Sequence, residues 1–277
     1  MCSKINVLSL FDGISCTRIA LGDNFEGNYY ASEINKKCID LVKKRYPKTI
    51  SLGNVVELDT ECLKTLDITL LIGGSPCQDL SSAGKRKGLN GERSSLFYEF
   101  VKILKAICPK YFLLENVASM SKENKNIISK EIGCEPVCIN SGIFTAQNRL
   151  RLYWTNIPIE GVDKILHRNL TLIDMIRCKT AYSFYKTYTK NPTTGEKYII
   201  KNRRWDGKTG TITSWNKDNS VCVDGVDRAH TLDELETLQG IPVGYTKDVG
   251  MYARERHLSI ANAFTVPVIK WILTFIV

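Results

Sequence analysis

Apolar residues in the first half of the chain come in short blocks separated by turn-forming residues. Ile5–Phe11 predicts a first β-strand, Tyr29–Ser32 a second, and Ile68–Ile72 and Tyr111–Leu114 two more. Between them the period changes. A short helix is expected near Thr17–Leu21, after a turn at Asp12–Gly13. Asn35–Tyr46 reads as a helix, with Cys38, Leu41, Val42 and Tyr46 on one face and Pro47 stopping it. Ser95–Ile107 reads likewise, with Leu96, Phe97, Phe100, Val101 and Leu104 at helical spacing before Pro109. This alternation predicts an α/β fold: a Rossmann-like, mostly parallel sheet with helices on both faces.

After about Asn156 the pattern dissolves. Asn191–Lys197 and Asp206–Gly210 are rich in turn residues, with short β-type pieces at Tyr198–Lys201 and Thr211–Ser214. A small, irregular β-rich lobe is expected there. Helical character returns at Thr231–Gln239, where Thr231 and Glu234 can form a capping box, and again from about Val268. The division is therefore a catalytic domain at 1–163, a small lobe at 164–250, and a C-terminal segment, 251–277, returning to the first domain.

Charge sharpens this division. The chain of 277 residues carries a net charge of +9. Lys164–Ser220 alone holds 12 Lys/Arg against 4 Asp/Glu, a balance of +8. Tyr182, Phe184, Tyr185, Tyr188, Tyr198, Trp205 and Trp215 lie among these charges. Basic and aromatic residues interleaved in this way suit nucleic acid, although a solvated lysine-rich surface would look similar. No apolar run reaches the length of a membrane span, and no secretion signal is expected at the start. The ten cysteines are scattered without a C-x-x-C pair, and there are three histidines. Neither a zinc site nor a disulfide framework is expected, and most thiols should be buried and inert.

The residues with chemical potential follow the strands, where ligands of such sheets bind. Phe11, Asp12, Gly13, Ile14 and Ser15 form a turn that can hold a nucleoside-bearing cofactor. Glu33, about twenty residues on, can accept from ribose hydroxyls, although taken alone it is more often a surface acid. Gly73-Gly74-Ser75-Pro76-Cys77-Gln78 is a shaped turn that presents Cys77. The plainer alternative for that thiol is a packed structural cysteine. Glu115-Asn116-Val117 puts a carboxylate at a strand end. If Arg149–Trp154 is a strand, Arg149 and Arg151 share a face and could neutralise Glu115, or form a merely structural ion pair.

In this order and spacing, the blocks resemble the motifs of the cytosine-C5 DNA methyltransferase family. Arg228 with Leu238-Gln239-Gly240-Ile241-Pro242, and Ala261-Asn262-Ala263 before Val266-Pro267-Val268, extend the likeness. It covers roughly residues 5–156 and 228–273. Phe11–Ile14, Ala31–Glu33 and Ser95–Phe100 look closest to the de novo branch of animals. Asn54 stands where the family usually has Asp, and Ala261 where it often has Gly.

The resemblance implies methyl transfer from S-adenosyl-L-methionine to carbon 5 of cytosine in double-stranded DNA. It casts Cys77 as the nucleophile, Glu115 as the group at the cytosine N3 edge, Arg151 as its orienter and Arg149 as support for the Cys77 loop. Cofactor contacts are implied at Phe11–Ser15, Glu33, Ile34, Asn54, Val55, Pro76, Leu96, Asn262, Ala263 and Phe264. DNA contacts are expected from Gln78, Ser81, Lys85, Arg86 and Lys87 in a closing loop, and from Arg203, Arg204 and Arg228. The target base must leave the stack. The lobe becomes the target-recognition region, and its small size implies a short recognition sequence. No metal or membrane is implied, and a monomer is expected. The setting would be a cytoplasmic, nucleoid-associated one in a bacterial or phage restriction-modification context, or the nucleus in a eukaryote. Three alternatives remain. A tRNA cytosine methyltransferase of the same family should carry a Cys-Phe-Thr signature, which is absent. A non-catalytic member should have lost Cys77, Glu115 or the arginines. A nucleotide-dependent oxidoreductase should show G-x-G-x-x-G at Asp12–Leu21, which is also absent.

Overall fold

The computed structural model describes residues 4–76, 96–161, 170–190, 197–213, 220–247 and 249–276. Strands β1 (Val7–Leu10), β2 (Tyr29–Ser32), β3 (Ile50–Gly53), β4 (Leu70–Gly73), β5 (Tyr111–Val117), β6 (Val137–Asn140) and β7 (Leu150–Thr155) form one sheet in the order β3-β2-β1-β4-β5-β7-β6. Strands β1 to β5 pair in parallel, while β7 runs antiparallel to both its neighbours.

The sheet forms because its central strands bury both faces. Val7, Leu70, Ile72 and Leu113 point into one apolar layer, and Leu8, Leu71 and Leu114 into the other. The period of two in a strand sends successive side chains to opposite sides, so a continuous apolar run serves two cores. Each such side chain contributes roughly 1.5–3 kcal/mol on burial. Helix α4 (Leu96–Ile107) covers the second layer with Phe97, Phe100, Val101 and Ile103. The first layer is covered by α1 (Cys16–Leu21), α2 (Lys36–Arg45), α8 (Ala253–Asn262) and α9 (Val266–Leu273). The Asn35 side chain caps α2 by accepting from the Lys37 and Cys38 amides.

A second sheet, in the order β11-β10-β8-β9, is antiparallel throughout. Its strands are β8 (Ala181–Lys190), β9 (Lys197–Arg203), β10 (Ser220–Val223) and β11 (Val226–Ala229). It is more regular than the lobe expected from sequence. Thr211–Thr213 lies outside any strand, contrary to expectation, and Ile212 is instead buried. Helix α7 (Leu232–Gln239) begins with the expected capping box of Thr231 and Glu234. Other elements missed by periodicity are β3, α3 (Thr60–Lys64), α5 (Lys122–Ile132), β6, α6 (Leu172–Ile176), β8, β10, β11 and α8. Glu115 lies inside β5 rather than after it, because the strand continues to Val117 by pairing with β7.

The cysteines depart from expectation. Among the described ones, Cys16, Cys38 and Cys222 are buried, while Cys62, Cys108 and Cys138 are exposed. Burial pushes the Cys38 thiol up to about 12, helped by the Glu33 charge, and Cys16 still higher. Cys16 and Cys38 match the inert buried thiols foreseen. Of the exposed ones, Cys62 lies within the short helix α3, Cys108 just after α4, and Cys138 in the edge strand β6.

Candidate active site

The carboxyl ends of β1, β2, β4 and β5 converge with the start of β7. After β1 the chain makes a contorted turn, with Phe11, Gly13 and Ser15 all in the left-handed region at φ of 57°, 56° and 59°. For Phe11 and Ser15 this conformation costs of order 1–3 kcal/mol each, so surrounding bonds must hold it. The Asp12 amide donates to the Ser32 carbonyl, and the Asp12 carboxylate accepts from the Tyr29 hydroxyl at 2.6 Å and from the Ser15 hydroxyl. Burial raises the Asp12 carboxyl to about 6, against the lowering effect of the Ser15, Ser9 and Tyr29 hydroxyls. Tyr29 was not foreseen, since its strand position predicts only packing.

Glu33 follows β2 and closes the turn. Its Oε2 accepts from the Gly13 amide at 2.7 Å, and its Oε1 from the Ile34 and Asn35 amides at 2.9 and 2.7 Å. It is thus not the plain surface acid it could have been. A carboxylate offers about four acceptor sites, so capacity remains for a ribose hydroxyl. Ile34 beside it is 73% exposed, an apolar face open to a flat ring. The Asn54 side chain caps a single 3-10 turn at Val55–Glu57, accepting from the Val56 amide at 3.4 Å and donating to Glu57 at 3.2 Å. Val55 itself is buried in the core, so it has only backbone atoms to offer a ligand.

The second half of the site centres on Glu115. Its Oε1 lies 3.0 Å from Arg151 Nε, and both side chains are only 12% exposed. Gly74 is where the turn after β4 passes this carboxylate. A Cβ there would sit 2.8 Å from Phe264 Cε1 and 3.3 Å from Glu115 Oε2. Only glycine lets the backbone pass that closely. The neighbouring Asn116 donates through Nδ2 to the Ser75 carbonyl and hydroxyl at 3.3 and 3.2 Å, fixing the turn that leads to Pro76. The motif named Asn116 but gave it no task; this clamp is one. Cys77 follows directly in sequence. Cys77, Gln78, Ser81, Lys85, Arg86 and Lys87 lie outside the described residues.

Arg149 and Arg151 separate. Arg149 precedes β7 and is buried, donating to the carbonyls of Ile212, Ala261 and Ala263 at 3.3, 3.0 and 3.0 Å. The ion pair of Glu115 is with Arg151, not with both arginines as the alternation allowed. Gln147 and Gln239 extend the Arg149 anchorage. Gln147 Nε2 donates to Gln239 Oε1 at 3.1 Å, and Gln239 Nε2 donates to the Ile260 and Ala263 carbonyls. This buried network holds Asn262, Ala263 and Phe264 against the site. Leu96 opens α4 and is partly buried.

Of the expected DNA contacts, Arg228 forms a bidentate pair with Glu234 at 2.8 and 2.6 Å. Although burial opposes it, that pair and the Thr231 amide hold the Glu234 carboxyl far below its usual range. Arg204 is tucked against Gly210, whereas Arg203 is exposed. Among the described residues no group of three His, Cys, Asp or Glu could hold a metal, and no helix is long and apolar enough to cross a membrane.

A mostly parallel sheet flanked by helices, with a carboxylate-closed turn and an arginine-paired glutamate at one end, defines an α/β protein. A family model of C-5 cytosine-specific DNA methylases matches residues 5–157, and the chain belongs to that family. The orphan methyltransferase M.SPRI of Bacillus phage SPR is 35% identical over 164 residues, 54% of this chain and 37% of its own length. The type II methyltransferase M1.ScrFI of Lactococcus lactis subsp. cremoris is 30% identical over 234 residues, 78% of this chain and 56% of its own. The chain thus spans between about a third and just over half of such curated relatives. These relatives are phage and bacterial, and they do not single out the de novo branch. Among solved structures, the Entamoeba histolytica methyltransferase EhMeth shares the fold with a TM-score of 0.71 at 15% identity, over 99% of this chain and 98% of that one. A Spodoptera frugiperda DNMT2 mutant does so with a TM-score of 0.67 at 18% identity, over 98% and 99%.

Proposed function

We propose that the chain transfers a methyl group from S-adenosyl-L-methionine to carbon 5 of cytosine in duplex DNA, through a covalent bond between Cys77 and a flipped-out base. The observation that carries this is the Glu115 carboxylate, paired with Arg151 and packed against the Gly74 turn that runs into Pro76-Cys77. Carbon 5 of cytosine is a poor nucleophile, and covalent addition overcomes this. Cys77 thiolate bonds to carbon 6 while Glu115 favours protonation of N3, so carbon 5 becomes enamine-like. The cofactor supplies an electrophilic methyl group. Loss of the carbon-5 proton then expels Cys77 and restores the ring. Arg151 holds Glu115 and reaches the O2 edge. Arg149 acts at a distance, fixing the 261–264 segment behind Gly74.

The turn at Phe11–Ser15 fits the cofactor, with Glu33 for the ribose, exposed Ile34 for the adenine face, and the Asn54 carbonyl where the family carboxylate would accept. The segment 79–94 would close over phosphates. Residues 1–163 with 251–277 serve as the catalytic part, and 164–250 as the recognition lobe of a monomeric, cytoplasmic enzyme.

A tRNA substrate is the second reading. The whole-length fold likeness to DNMT2 favours it, while the missing Cys-Phe-Thr signature weighs against it. Labelled methyl transfer to duplex DNA and to tRNA, with Cys77→Ser as control, separates the two. Transfer to DNA alone, lost in the variant, supports the proposal; transfer to tRNA alone overturns it.

A further inference from the structure

Among the described arginines of the basic lobe, Arg228 is paired with Glu234, and Arg204 packs beside Gly210. Arg203 is set against aromatic rings instead. Its guanidinium lies 4.2 Å from the Tyr182 ring centroid and 4.5 Å from that of Trp205. Among the described residues its guanidinium makes no hydrogen bond or ion pair. It lines an open cleft of about 620 Å³ together with Tyr182, Cys222 and Asp227. Trp205 is 83% exposed, an unusual state for the largest apolar side chain. Exposed aromatic rings that flank a cation fix its plane while leaving its edge donors open.

The position of this group matters as much as its shape. Asp206, next to Trp205, accepts from Asn148 Nδ2 at 2.7 Å, and Thr209 bridges to Gln147. The chain from Trp205 to Ile212 therefore runs along Gln147–Arg149, at the sheet end that holds Glu115 and Arg151. A guanidinium fork set against two rings with its donors free, three residues before the Asp206–Asn148 contact, matches the N7 and O6 acceptors of guanine in the major groove.

We propose that Arg203, oriented by Tyr182 and Trp205, determines sequence specificity by reading a guanine close to the target cytosine. This rests on the DNA reading above. A phosphate contact would need charge alone, so lysine separates the two roles. The test is methylation of a random-sequence duplex library, read by methylation sequencing, with wild type, Arg203→Lys, Arg203→Ala and Trp205→Ala. Wild type should demand guanine at one fixed position. Both Arg203 variants should relax that demand by about ten- to a hundred-fold, leaving other positions unchanged. Trp205→Ala should relax it partly. A wild-type site without guanine, or variants that lose activity uniformly with preference intact, would overturn the proposal. Selecting bound duplexes from the same library reads base preference without catalysis. If wild type transfers no methyl to DNA, the proposed reaction fails, yet the bound pool still decides the role of Arg203.

Discussion

Glu115 and Arg151 meet diagonally across the antiparallel pair β5 and β7, with Oε1 and Nε 3.0 Å apart. Glu115 is directly opposite Tyr153, and Arg151 is opposite Val117, so the pair bridges two rungs on one face. Such diagonals are within reach of long side chains. Because both groups are nearly covered, neither has water to replace its partner.

Removing one partner should therefore cost more than an exposed ion pair would. Arg151→Ala should lose about 1.5–3 kcal/mol of stability and most of the turnover. Arg151→Lys should recover part of both, since it keeps the charge without the planar fork. Glu115→Gln should fold normally and lose about 10²–10⁴ in turnover, as removal of a group that assists proton transfer does. Urea midpoints and single-turnover rates check these values. An unchanged rate in Glu115→Gln would remove the carboxylate from the chemistry.

Gly74 supplies a steric prediction. Gly74→Ala places a methyl 2.8 Å from Phe264 Cε1 and 3.3 Å from Glu115 Oε2. Overpacking of this kind typically costs about 1–3 kcal/mol. Phe264 must move, so cofactor affinity should fall along with stability, measurable by calorimetric titration. Gly73→Ala meets Phe100 and Leu10 instead, on the core side, and should lose stability with less effect on the cofactor.

The Asp12 carboxyl, raised to about 6 mainly by burial, makes stability depend on pH. Its native pKa lies above the unfolded one, so the folded state holds the proton more tightly between about pH 4 and 6. Its contribution is present below pH 4 and lost as pH rises through 6, by up to about 3 kcal/mol. Wild type minus Asp12→Asn, followed by urea unfolding across this range, should show that decline. A flat or rising difference would contradict it.

What the sequence revealed follows the strength of local patterns. The fully buried strands β1 and β4, and β5 with all but Phe112 and Glu115 buried, stand out as apolar runs, and Tyr29–Ser32 matches β2 residue for residue. β3 is an edge strand with little burial, and β6 alternates weakly, so neither leaves a signal. In the lobe, β10 and β11 are only four residues long, so the sequence shows β-type pieces but not the sheet that β10 completes by pairing with both β8 and β11. In the site, residue types were legible from motifs, but partners were not. Arg149 and Arg151 look equivalent two residues apart. Only the arrival of the Ala261 and Ala263 carbonyls, at and just beyond the end of α8, separates an anchor from the partner of Glu115. The Asp12–Tyr29 bond likewise depends on how β1 and β2 are placed side by side.

The central claim is a covalent bond from Cys77 to carbon 6 of cytosine. It is tested most directly by incubating the protein and S-adenosyl-L-methionine with duplex DNA containing 5-fluorocytosine. Fluorine at carbon 5 cannot leave as a proton does, so elimination stops and the adduct persists. The account predicts a denaturation-resistant protein–DNA species, with mass spectrometry placing the link on Cys77, and none with Cys77→Ser. No trapped species in an active wild-type preparation, or equal trapping by the variant, would contradict it.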